Sequence, residues 1–360
     1  MLHRRCPPMG KVRSAVTSAR LGGARRGLIA VGALAALLAP ADAALAATYH
    51  VATSGSSTSA GSVEDPWRSV ELSLSRLHPG DTLVVHGGTY VENVKPRIRP
   101  GSAGSPILVQ AAPGERPVIQ GLLWLESPSH WTLDGINVTW RTGNDRSDHM
   151  VKMTNGSGWT LKNAELWNAS SYAALLVAGT KGGEPSGWTV RDSCLHDTRP
   201  VNGRNQDHLL YANTGPTAGP GLVTRNLLFN ATNGHAVKLG GPSSGSGGAT
   251  RISVTHNTMY NTRYASLVAW GASANVFERN IMVKPLESAV LGAYQLRGRN
   301  VARQNLWAQA TRYDVADAAY ARIADGGGNV ERDPRLDSVG SCSGFRPQDP
   351  VAAGYGRYAP

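Results

Sequence analysis

Three stretches of the chain repeat one phrase of ionisable and apolar residues. They read Asp148-His149-Met150-Val151-Lys152-Met153, Asp207-His208-Leu209-Leu210-Tyr211-Ala212 and Gly234-His235-Ala236-Val237-Lys238-Leu239. Aligned, they place His149, His208 and His235 in one column and Lys152, Tyr211 and Lys238 in another. The stretch between the first two puts Ala173 and Leu176 at these positions, so only the later pair is adjacent. A lysine whose pKa is lowered by burial or by neighbouring positive charge can act as a proton-abstracting base. A tyrosine or histidine beside it can return a proton to a leaving oxygen. The set therefore suits proton-transfer chemistry, with Lys238 as base and Tyr211, His208 or His235 as partners. Arg204 and Arg263 are the nearest arginines by alignment that could neutralise an anionic group, and Lys152 is a further cation in the same column. With Val237 and Leu239 facing a core, strand alternation turns Lys238 outward and sets Tyr211 one repeat away on the same outer sheet. His208 and His235 lie an odd number of residues from that pair, which puts them at the strand edge rather than in the same groove.

The elements that would carry these residues are themselves repeated. Trp159-Thr160-Leu161-Lys162-Asn163-Ala164-Glu165-Leu166-Trp167 is followed by Trp188-Thr189-Val190-Arg191-Asp192-Ser193-Cys194-Leu195-His196, and Trp131-Thr132-Leu133-Asp134 opens an earlier copy. Alignment brings Ile136, Ala164, Ser193, Asn226, Asn257, Asn280 and Asn305 to one position, at spacings of 28, 29, 33, 31, 23 and 25. Two residues later every copy is apolar, from Val138 to Trp307. A variable period of this length with short alternating segments means a stacked solenoid. No segment keeps a 3.6-residue period for three turns, so helical repeats are excluded. The reading is an all-β, right-handed parallel β-helix, in which one coil cannot bury its inner face without its neighbours. Asn at the shared position tolerates a left-handed turn conformation, and stacked Asn side chains can bond along the stack. Trp131, Trp159 and Trp188 share one repeat position and read as core. Asp65-Pro66-Trp67 reads as a helix start, with Trp67, Val70, Leu74 and Leu77 on one face of a short N-terminal capping helix. Thr82–Val85 and Ile107–Gln110 read as early strands. Residues 47–130 form the N-terminal cap and first coils, 131–309 the repeated coils, and 310–360 a Gly- and Pro-rich cap and tail at the far end.

Composition agrees. The 360 residues are 41% apolar and only 17% charged, with 42 Gly and 21 Pro, which excludes a coiled coil and a charge-driven disordered chain. Seven basic residues and one acid in the first 47 account for +6 of the net charge of +11, leaving a scattered +5. There is no basic run with interleaved aromatics, so nucleic acid is a poor partner. Residues 1–46 read as a secretory signal peptide: a basic segment, the small-apolar run Gly27 to Ala39, then Ala44-Leu45-Ala46 as cleavage site. This predicts a secreted, extracellular monomer with no membrane partner after cleavage. Export leaves Cys194 and Cys342, which an oxidising compartment allows to pair. No P-loop, dinucleotide fingerprint or closely spaced Cys/His zinc set is present.

Thr48-Tyr49-His50-Val51-Ala52, Asp65-Pro66-Trp67-Arg68-Ser69, Gly80-Asp81-Thr82-Leu83-Val84-Val85 and Gly88-Thr89-Tyr90 together resemble the opening of secreted bacterial parallel β-helix proteins, many of them polysaccharide lyases. Asn233 to Gly241, N-G-H-A-V-K-L-G-G, resembles a phrase of family nine polysaccharide lyases. In that family the lysine of the K-L-G-G phrase is the catalytic base of pectate cleavage, which the resemblance carries onto Lys238. It also implies calcium held by aspartates. The corresponding coil here, Asn205 to Tyr211, has only Asp207, and Leu210 stands where a second acid is wanted. The activity implied is β-elimination on a uronate-containing polysaccharide. Three other readings stay open. A glycoside hydrolase needs two carboxyls facing a cleft, for which Asp145, Asp148, Asp192, Asp197 and Asp207 are available. The β-helix polygalacturonase phrases are absent, because Ala236 follows Gly234-His235 and Ser253 follows Arg251-Ile252. A uronate epimerase would share the proton-abstraction step. The third reading is a non-catalytic carbohydrate-binding or surface β-helix.

Overall fold

The computed structural model describes residues 46–199, 207–241, 248–268, 271–292, 300–314 and 323–360, with backbone alone for 266–268, 290–292 and 312–314. Its strands form two sheets of 11 and 16 strands, paired in parallel throughout their length. The larger sheet has two arms, so the stack has three faces. The first face climbs from Thr48–Val51 through Trp131–Asp134 to Ala324–Asp325. The second climbs from Gly88–Tyr90 through Glu165–Trp167 to Val330–Glu331. The third holds Leu123–Glu126, Val151–Thr154, Ala173–Ala178 and His208–Asn213. It continues through the later parts of the long strands Leu227–Leu239 and Thr258–Val268. This is the stacked parallel solenoid that the repeat predicts.

The core follows from the repeat position. Trp131, Trp159 and Trp188 are buried, and Trp159 stacks on Trp188 with ring centroids 5.5 Å apart. The apolar residue two places after the shared position is buried in Val138, Leu166, Leu195, Leu228, Met259 and Met282, whereas Trp307 is half-buried. The shared position itself forms a ladder. Asn257 Oδ1 accepts from the Asn226 backbone N–H and Nδ2, both at 3.0 Å, and Asn280 and Asn305 repeat the arrangement. Asn329 extends it, and Asn275 with Asn300 forms a second rung elsewhere in the stack. The left-handed conformation does not belong to these asparagines. It falls on the residue before each: Arg225 (φ 53°), His256 (φ 54°), Arg279 (φ 53°) and Gln304 (φ 49°). The chain turns the corner on that exposed or half-buried residue, and the asparagine then points its amide into the stack, where it satisfies backbone groups of the turn.

The helix spans Val70–Arg76, four residues later than Asp65-Pro66-Trp67 suggests. Ser69 is its N-cap, its Oγ accepting from the Leu72 N–H at 3.2 Å. Glu92 accepts from the Val70 N–H at 2.7 Å, so a carboxylate sits at the positive helix end. Trp67 instead bridges to Val51 and stacks on Tyr49. Trp67, Val70, Leu74 and Leu77 are all buried.

Cys194 and Cys342 form a disulfide. The tail does not stop at the far end of the stack. It runs back along the second face, where Phe345 packs on Phe229 and Tyr260, and Arg357 donates its backbone N–H to Thr258 Oγ1. No helix of the described residues is long and apolar enough to cross a membrane. The expected signal segment, apart from Ala46, lies outside the described residues.

Candidate active site

The site is built on the third face. Val151 and Met153, Leu175 and Val177, Leu210 and Ala212, and Val237 and Leu239 all point into the core. The residues between them point out and are stacked by the pairing register. Trp124 pairs with Lys152, Lys152 with Leu176, Leu176 with Tyr211, Tyr211 with Lys238, and Lys238 with Leu267. Tyr211 and Lys238 are therefore direct neighbours, and the Lys238 Nζ lies 4.6 Å from the Tyr211 ring centroid. Gly241 closes the phrase. A Cβ there would stand 2.4 Å from the Tyr211 hydroxyl oxygen, so the absent side chain leaves the tyrosine its place.

Lys238 has no acidic partner among the described residues. Burial alone lowers its pKa to about 8, because the half-buried ammonium loses hydration that no carboxylate replaces. Burial raises Tyr211 to about 12, which keeps its hydroxyl protonated and able to donate. His149 lies 6.5 Å from the Tyr211 ring, and its Nε2 has no hydrogen-bond partner among the described residues. Burial, then the charges of Lys152 and Lys238, holds it neutral with a pKa of about 4.

His208 opens the strand His208–Asn213, whereas His235 lies inside the strand Leu227–Leu239. The His208 ring stands 5.8 Å from that of Tyr211, on the same side, and stacks on His235 at 4.7 Å. Parity fails because Leu209 with Leu210, and Ala236 with Val237, are consecutive residues that both join the core. The chain bends there, and counting by twos across the bend reverses the side. Both histidines are buried, at 1% and 0% exposure, so they support the site from beneath rather than touching a ligand. His208 Nδ1 accepts from the His235 backbone N–H at 3.2 Å, which puts the His208 proton on Nε2. Both ring nitrogens of His235 lack a partner among the described residues. Burial first, then His235, Lys238 and His149 around His208, and Lys238 and Arg263 around His235, keep both rings neutral.

This pair makes the fold acid-sensitive. Both folded pKa values lie below the ordinary 6.5. The unfolded chain thus takes up protons that the native state refuses, and stability present above pH 6.5 is lost as pH falls. The limiting slope is about 1.4 kcal/mol per pH unit for each ring. Asp207 opposes this, since burial raises its carboxyl to about 6 and the folded state holds that proton more tightly than the unfolded chain. His149, held at about 4, adds a third such ring, and three rings outweigh one carboxyl. Urea midpoints should fall between about pH 7.5 and 5, and His235→Phe should remove about half of that slope.

The remaining candidates are placed as follows. Arg263 pairs through Nε with Glu287 at 2.7 Å, and Glu287 also accepts the Tyr264 hydroxyl. Lys152 lies three register steps from Lys238 and leans on the Trp124 ring at 4.8 Å. Arg204 lies outside the described residues. Asp207 is buried and accepts from Asn233 Nδ2 at 2.8 Å and Thr198 Oγ1 at 3.2 Å. An amide N–H aimed at the carboxylate is what a bound cation would repel. Among the described residues the only cluster of three potential metal ligands is Cys194, His196 and Cys342, whose thiols are spent in the disulfide. The described residues thus do not fit the calcium set implied by the resemblance. Most acids that a hydrolase would need are engaged. Asp148 lies 3.9 Å from Lys95, Asp192 holds Arg191 and Arg225, and Asp197 holds His196 and Asn230. Lys95 and Trp124 are not among the residues that the sequence singles out, although Leu123-Trp124-Leu125 shares the in-out-in pattern of Val151-Lys152-Met153.

No protein-family model matches the chain. Over 80 residues, 22% of its length, it is 34% identical to the pectate lyase PEL9 of Emericella nidulans, and the matched stretch spans 20% of that protein. Among solved structures, a glycoside hydrolase superposes with a TM-score of 0.54 at 8% identity, covering 79% of this chain and 96% of that one. A PL6 alginate lyase in complex with a trisaccharide superposes at 0.52 with 16% identity, covering 74% and 58%. At such identities the superpositions speak for the fold alone. The chain is an all-β parallel solenoid that resembles pectate-lyase-like β-helix proteins, with one stretch of direct sequence similarity to a pectate lyase.

Proposed function

We propose that the protein is a polysaccharide lyase that cleaves a uronate-containing glycan by β-elimination over Tyr211 and Lys238. The observation that carries this reading is an outward lysine without an acidic partner among the described residues, its pKa lowered to about 8, stacked on a protonated tyrosine. The neutral Lys238 amine takes the proton from the carbon next to the sugar carboxylate. The electron pair of that C–H bond becomes the new ring double bond, the bond from the neighbouring carbon to the glycosidic oxygen breaks, and that oxygen leaves with a proton from Tyr211. Arg204 and Arg263 are the arginines proposed to meet the substrate carboxylate. His208 and His235 hold the Tyr211 and Lys238 strands in place.

The winding is right-handed, the hand that parallel crossovers adopt. The helix Val70–Arg76 closes the N-terminal end of the stack, where unpaired strand edges would otherwise be open. The disulfide supports an exported, extracellular protein, with residues 1–46 as its signal. It acts as a monomer on a polysaccharide, not on nucleic acid.

The test incubates the protein with polygalacturonate, alginate and neutral glycans, each with added calcium or with chelator. The products are read both as ultraviolet absorbance of unsaturated sugar ends and as reducing ends. Unsaturated ends on a polyuronate in both conditions are expected. Reducing ends without unsaturation would replace the lyase by a hydrolase, and binding without either product would make the protein a carbohydrate-binding module.

A further inference from the structure

The outward column continues below the proposed reaction centre, where Lys95, Trp124 and Lys152 stand on successive coils. The bridge between Val94 and Leu123 sets Lys95 beside Trp124, and the next register sets Lys152 on its other side. The two Nζ atoms lie 3.7 and 4.8 Å from the Trp124 ring centroid. The ring is anchored, since its Nε1 donates to the His149 carbonyl at 2.7 Å. A pocket of about 240 Å3 opens here, lined by Lys95, Trp124, Glu126, Lys152, Thr154 and Thr180 among others. Asp148 stands 3.9 Å from Lys95, at the limit of an ion pair, and Lys152 has no acidic partner among the described residues.

Two ammoniums flanking one aromatic ring form a cationic patch on which a carboxylate gains a charge-assisted hydrogen bond from either lysine. The lining also includes Glu126, Thr154 and Thr180, whose acceptors and hydroxyls suit sugar hydroxyl groups. The column is straight, one residue per coil, so at ~4.8 Å per coil Lys152 is ~14 Å and Trp124 ~19 Å from Lys238. A pyranose in an extended chain advances by a similar distance. We propose that this pocket is a distal subsite for one uronate residue of an acidic glycan lying along the column, several sugars from Lys238. The position of the reacting bond rests on the lyase reading; the subsite itself does not.

The test uses the full chain carrying Lys238→Ala, so that nothing is turned over. Oligogalacturonates and oligoguluronates, as trimers and heptamers, are titrated by calorimetry at low salt. The heptamer of the preferred uronate should bind about tenfold or more tighter than its trimer, because only the longer chain reaches the lysine pair. Adding Lys95→Gln with Lys152→Gln should cut that ratio to about twofold or less. Both substitutions are at the surface, and an unchanged unfolding midpoint confirms the fold. An unchanged ratio in the double variant would overturn the subsite, as would no length dependence in the parent or no binding of either uronate. If the protein with Lys238 intact releases no unsaturated ends yet the lysine-sensitive ratio appears, the lyase reading fails and the subsite stands. Elimination together with a lysine-insensitive ratio would sink the subsite and leave the lyase reading standing.

Discussion

Replacing Lys238 by alanine should lower the elimination rate by about a thousandfold, with little change in KM and no loss of fold. General-base catalysis contributes about 10²–10⁴ in rate, and no other group of the column can take its place: Tyr211 stays protonated, His208 and His235 are covered, and so is the unpartnered Nε2 of His149. Lys238→Arg should be nearly as damaging, since guanidinium keeps its proton and cannot accept one. That pair of variants separates a base from a mere positive charge. A residue that only attracts the substrate would be rescued by arginine, and its loss would appear in KM. The fold should survive because Lys238 faces outward while Val237 and Leu239 hold the strand in the core.

The largest stability effect should come from the asparagine ladder. Asn257 is fully buried. Its Oδ1 accepts from the Asn226 backbone N–H and Nδ2, and its own Nδ2 donates to Val223 O at 2.9 Å, Thr255 O at 3.0 Å and Asn280 Oδ1 at 3.0 Å. Asn257→Ala strands polar groups on two neighbouring coils at once, each costing about 1–3 kcal/mol, so the total should be about 4 kcal/mol. Asn329, at the less buried end of the ladder, should cost about 1 kcal/mol when changed in the same way. Urea unfolding of the two variants checks the ratio. Equal, small losses would mean that the ladder is incidental to stability.

Much of this is legible in the sequence, for a physical reason. Every coil must present the same inward residue at the same place, so Val138 to Met282 recur, and aligning them also aligns the outward Lys152, Tyr211 and Lys238. What escapes lies where that regularity breaks. The bend at Leu209-Leu210 and Ala236-Val237 defeats alternation, so counting by twos puts the histidines away from the groove they support. The left-handed corner falls one residue before the asparagines, because turn and ladder are separate duties of adjacent residues. Lys95 and Trp124 belong to the first coils, where the repeat is faint and only pairing shows the column. The helix starts after Ser69 rather than at Asp65 because Glu92, far along the chain, supplies the carboxylate at its N-terminus. The return of the tail rests on Cys342 meeting Cys194, a contact that spacing alone does not express.

The most direct measurement is the pH dependence of the elimination rate on the preferred polyuronate, for the parent and for Lys238→Ala. A base works when unprotonated, so the rate should climb with pH and level off above about 8, the value to which burial lowers Lys238. The alanine variant should show no such limb. A limb in the carboxylate range near pH ~4, or the same limb in both proteins, would contradict Lys238 as the group that takes the proton.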